Sequence, residues 1–98
     1  LRSKLFLLLK SPREFSGLED IAAIAGDADR AAVLLNDAVL FAAQENKLEG
    51  LLQVCTEVFV MKDDLQARGV DPCSGAVEID YHRLVDLIMD EYDQTVTL

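Results

Sequence analysis

Few residues in this chain have the chemistry for a reaction: Cys55, Cys73, the single histidine His82, and the carboxylates Asp37, Asp63 and Asp64. A thiol does nucleophilic or persulfide chemistry as its thiolate, so it needs a cationic neighbour or a helix N-terminus to lower its pKa. Cys73 lies in the loop "DPCSG", an expected exposed setting, but Asp71 and Glu78 nearby push the wrong way. Cys55 lies in an apolar stretch and is expected to be buried and inert. The two thiols are eighteen positions apart, which is neither a CxxC pair nor a dense disulfide framework, and a reduced, cytoplasmic chain follows. His82 has acid–base capacity, yet no Ser or Cys lies near it in sequence, and it reads as a solvent-facing helix residue. Cys55, Cys73, His82 and a carboxylate match no zinc spacing, so no metal is expected.

Asp37, Asp63 and Asp64 follow apolar runs, where a receiver-type acidic pocket carries its carboxylates. Such a pocket also needs an acidic pair after the first strand, and Lys10 and Ser11 stand there instead. The three Asp residues therefore read as helix caps, with carboxylates accepting backbone N–H bonds. The connections "KSPREFSG" and "NDAV" contain neither GxGxxG nor a P-loop, so no nucleotide cofactor of the common kinds is expected.

The elements that must position these residues alternate between strand and helix. "KLFLLLK" (Lys4 to Lys10) is a continuous apolar run bounded by Lys, as in a strand covered on both faces. Ser16 and Glu19 form an S-x-x-E capping box, Leu18, Ile21, Ala22 and Ala25 share one helical face, and Gly26 is a natural stop. "AAVLLN" is the second strand, Asn36 or Asp37 caps "AVLFAAQE", and "NKLEGLLQVC" is a short helix or turn before the third strand, Glu57 to Val60 or Met61. Asp63 or Asp64 caps the helical turn that Gly69 ends; "AVEI" is a fourth strand. "DYHRLVDLIMDEYD" is the last helix, with Leu84, Val85, Ile88 and Met89 on one face, and "TVTL" is a short fifth, edge strand. This order predicts an α/β protein: a small three-layer α/β/α domain, residues 1–98, with a mostly parallel sheet of about five strands and helices on both faces.

Charge narrows the partners. The net charge is −9, and residues 57–98 hold 10 acidic and 3 basic side chains against 8 and 6 in the rest. Phosphate neutralisation needs Lys and Arg, so direct nucleic-acid binding and anionic membranes are disfavoured, and a basic partner protein fits. "LFLLL" (Leu5 to Leu9) is too short for a membrane helix and short for a signal-peptide core.

"KSP" after the first strand, "LLNDAVLFAA", "VFVMKDDLQARGV" and "VEIDYHRLVDLI", in this order over nearly the whole chain, resemble the DsrH/TusB family of the DsrE-like sulfur-relay group. The resemblance implies a three-layer α/β subunit that assembles with DsrF/TusC-like and DsrE/TusD-like subunits. It implies persulfide relay, towards 2-thiolation of wobble uridine in tRNA or in sulfur oxidation; the acidic C-terminal part then suits a basic sulfur-carrier protein as a further partner. In the catalytic DsrE/TusD-like relatives a sulfur-carrying Cys precedes the Gly of a similar Arg-Gly helix ending by about eight residues, and the matching place here is Met61. The place of another Cys of some DsrH proteins falls near Ile21, and the family's frequent C-terminal Trp is replaced by "QTVTL". A thioether forms no relay persulfide, so the resemblance implies a non-catalytic subunit. The alternatives are a stand-alone thiol sulfurtransferase using Cys73 and a homo-oligomeric DsrE-like domain of unknown ligand.

Overall fold

The computed structural model describes residues 3–15 and 17–98. Its five strands are β1 (Ser3–Leu8), β2 (Asp29–Leu34), β3 (Glu57–Met61), β4 (Ala76–Ile79) and β5 (Gln94–Thr97). They form one sheet in the order β4-β3-β2-β1-β5, and every neighbouring pair is parallel. The helices are α1 (Leu18–Ala25), α2 (Leu40–Ala43), α3 (Glu45–Val54), α4 (Lys62–Arg68) and α5 (Tyr81–Asp86). A 3-10 turn, Asn36–Val39, leads into α2, and a π-turn, Leu87–Glu91, continues α5.

Strand alternation divides the core in two. Phe6, Leu8, Ala32, Leu34, Val58 and Val60 face one side, where Ile21, Phe41, Leu48, Leu51 and Leu65 from α1 to α4 pack on them. Leu5, Ala31, Val33, Phe59, Met61 and Ile79 face the other, where Leu84 of α5 and Leu87 of the π-turn are their helical partners. Right-handed crossovers account for the split. The chain steps from β1 to β4 in one direction, which stacks α1 to α4 on one face, then returns past β1 to β5, which puts α5 on the other. The central strands are buried from both sides and so read as unbroken apolar runs.

Local chemistry sets the element ends. Gly26 takes φ +57°, and the strands supply donors to the end of α1: Lys4 Nζ donates to Ile24 O at 2.9 Å and Arg30 Nη2 to Gly26 O at 3.2 Å. Gly69, at φ +63°, closes α4 as a Schellman turn, with Gly69 N–H donating to Gln66 O and Val70 N–H to Leu65 O, both at 3.2 Å. Phe15 packs edge-to-face on Phe41 at 5.8 Å and so pins the turn after β1 to α2.

Several expectations shift. The first strand ends at Leu8, and Leu9 is 39% exposed. The predicted capping box falls partly on Ser16, outside the described residues; Gly17 occupies the N-cap of α1 without a side-chain bond. Ala22 faces solvent, because Ile21 and Ala25, four apart, already fill the contact with the sheet. In the last helix the inward pair is Leu84 and Leu87, three apart, with Ile88 half-buried. Val85 and Met89 point outward at 48% and 73% exposure, because the crossover meets the sheet along one narrow ridge.

Candidate functional site

In open parallel sheets, ligands gather beyond the carboxyl ends of the strands, where crossovers diverge. Here that divergence lies between β1 and β5. A shallow cavity of about 160 Å³ sits there, lined by Lys10, Glu14, Phe15, Gly17, Asp20 and Leu98. Larger cavities, of about 450 and 310 Å³, open at the other end of the sheet, beside Lys4 and Asp29 and beside Ser3 and Tyr92.

The carboxyl ends of β2 and β3 carry a polar clamp. Asn36 follows β2 at φ +50°, a conformation that Asn tolerates better than most residues. Its N–H donates to Asp64 Oδ2 at 2.9 Å. Arg68, one turn along α4 from Asp64, donates from Nε and Nη2 to Asp37 Oδ1 at 3.2 and 3.0 Å, and from Nη1 to Asp64 O at 3.4 Å. So Asp37 and Asp64 do not cap their own helices. The N-caps are the apolar Leu35 and Met61, neither with a side-chain bond, and each carboxylate binds across to the neighbouring element. Asp63 stays exposed in the first turn of α4. This clamp is not evident from the sequence alone; an Asn just beyond a strand and the Asp64–Arg68 spacing of four are its visible signals.

Met61 ends β3 opposite Ile79 and stands at the N-cap of α4, with 2% of its surface exposed. Its side chain belongs to the core beneath α5. Cys55 and Cys73 both pack on the other core, so the sheet separates Met61 from both thiols. Cys55 is 3% exposed, and burial pushes its thiol up from 9.0 to about 11, against a smaller downward pull from Arg30. Cys73 is half-buried rather than exposed: its N–H donates to Ala42 O at 2.6 Å, which draws the loop onto α2. Ile21 is fully buried. His82 stands 88% exposed with Asp86 Oδ2 at 3.9 Å. Among the described residues no three His, Cys, Asp or Glu side chains converge as metal ligands, and no helix is long and apolar enough to cross a membrane.

An all-parallel five-stranded sheet in this strand order, with helices on both faces, defines a small open α/β protein. The structure superposes on the crystal structure of the ychN protein from E. coli with a TM-score of 0.77, over 100% of each chain at 15% identity, which establishes the shared fold. No match was found among curated proteins. The family model described as DsrH like protein matches residues 10–94, and the chain belongs to that sulfur-relay family.

Proposed function

We propose that this protein is a non-catalytic subunit of a sulfur-relay complex, cytoplasmic and assembled with DsrF/TusC-like and DsrE/TusD-like subunits. Its own position for the relay thiol is filled by Met61. The observation that carries this reading is the placement of that residue: the end of a central parallel strand, the N-cap of a helix closed by Arg68-Gly69, and a side chain buried at 2% exposure. A helix N-terminus lowers a thiol's pKa, and a thioether has no proton to lose. The chain would shape a site where a partner's Cys carries the persulfide, towards wobble-uridine 2-thiolation of tRNA or a related transfer.

Native mass spectrometry of the protein from its own cells, followed by persulfide trapping, tests this. The expected result is a complex with two similar small subunits, trapped sulfur on a partner's Cys, and unchanged sulfur transfer after Cys73→Ser. A persulfide on Cys73 of a chain that arrives alone overturns it in favour of a stand-alone sulfurtransferase. A homo-oligomer without sulfur points to the third assignment, a DsrE-like domain with another ligand.

A further inference from the structure

The cover of the second sheet face has an outer surface that the fold leaves unused. Leu84 and Leu87 point inward, at 4% and 1% exposure. On the outside, Tyr81, Val85 and Met89 stand four residues apart at 69%, 48% and 73% exposure, one on each successive turn. They form a line of three large apolar side chains on a helix whose other apolar residues are already packed. Contiguous exposed apolar side chains rimmed by polar residues mark interaction sites, and aromatic residues and Met are enriched in interfaces.

The neighbouring line, one residue on, is His82, Asp86 and Asp90. His82 is 88% exposed, the Asp86 side chain is 42% exposed, and Asp90 is exposed. Arg83 is the sole Lys or Arg from residue 69 to the C-terminus, and it is held by Glu91, with Nη2 donating to Oε1 at 3.1 Å. On this segment the formal charge left beside the apolar line is therefore acidic. A second copy in an antiparallel two-fold contact would set Asp86 and Asp90 beside their own equivalents, and any self-association joins two chains of net charge −9; like charges across an interface suppress association.

We infer that the Tyr81–Val85–Met89 line with its Asp86–Asp90 border is a docking surface for a different protein, one that presents an apolar strip bordered by Lys or Arg. The apolar line supplies the buried centre and the border supplies orientation and encounter rate. The inference goes beyond the sulfur-relay reading and does not require it.

The test places the photo-cross-linker p-benzoylphenylalanine at position 81 or 89 of the full chain, in cells that make the protein natively. Position 24 serves as a control, since Ile24 is 40% exposed on α1 over the opposite sheet face. The expected product from 81 and 89 joins this chain to a different protein at a peptide whose apolar residues are flanked by Lys or Arg. The same product is absent from position 24. Its yield falls about tenfold with Asp86→Lys and Asp90→Lys together, and by less with Asp86→Asn and Asp90→Asn, the milder pair serving if the Lys pair fails to fold. A cross-link to a second copy, a yield indifferent to these charges, equal capture from position 24, or no product from 81 and 89 each overturns the inference. A relay complex that moves sulfur without any cross-link from this line sinks the docking surface alone. A charge-dependent cross-link in a chain that handles no sulfur sinks the relay reading alone.

Discussion

Met61 is held among Phe59, Ile79, Leu84 and Leu87, and its thioether packs as an apolar group. The thiols differ from it and from each other. Cys55 is fixed under α3, with its N–H on Leu51 O at 2.8 Å, and burial disfavours its ionised form. An alkylating reagent at pH 8 is expected to label Cys73 first and to reach Cys55 only after unfolding, as mass spectrometry over a time course will read. Titration supplies a second check. The folded thiol ionises near pH 11 and the unfolded one near 9.0, so its contribution to stability is intact below pH 9 and is lost as pH rises through 11. The loss is roughly 2–3 kcal/mol. Tyr92, raised first by burial and then by Glu57 and Glu91, acts in the same direction. Urea unfolding of the protein and of Cys55→Ala between pH 8 and 11 isolates the cysteine: the variant is expected to show the shallower decline.

At the scale of elements, polar contacts between neighbours hold the sheet's carboxyl end and set the last crossover. Asp64 ties α4 to the turn after β2 through the Asn36 N–H. Asp64→Ala removes that acceptor while Arg68 keeps Asp37, and a loss of about 1 kcal/mol is expected in chemical denaturation. Asp80 caps α5, its Oδ1 accepting from Arg83 N–H at 2.8 Å. Asp80→Ala is expected to cost about 1 kcal/mol. Because α5 and its π-turn are the helical cover of the second core, the amides of that segment should exchange with solvent faster, while those of α3 keep their protection. Uniform acceleration in both segments would mean that the cap stabilises the whole fold rather than this crossover.

The whole molecule is uneven in two respects. Four helices cover one sheet face and one crossover covers the other, and 10 of the 18 acidic residues fall between Glu57 and Leu98. Self-repulsion at net charge −9 opposes the compact state. Raising NaCl from about 20 mM to about 300 mM shortens the Debye length to well under 10 Å, and the thermal midpoint is expected to rise by a few degrees. Calorimetry checks this, and a midpoint that falls would show that attractive pairs such as Arg68–Asp37 outweigh the repulsion.

By itself the sequence determined the strands, the helix stops and the class of fold. Those are local: continuous apolar runs can be satisfied by burial on both faces, Gly26 and Gly69 take positive φ at little steric cost, and alternating strands and helices force parallel pairing. The resemblance carried by "VFVMKDDLQARGV" and its companions also placed the chain in its family and pointed to Met61. Only the tertiary structure decided which side of α5 meets the sheet, that Asp37 and Asp64 bind across to neighbouring elements instead of capping their own, and that Cys73 is drawn onto Ala42. Those outcomes depend on distances between segments remote in sequence. The direction of each crossover sets those distances, and the periodicity of one helix contains no information about the element that will lie beside it.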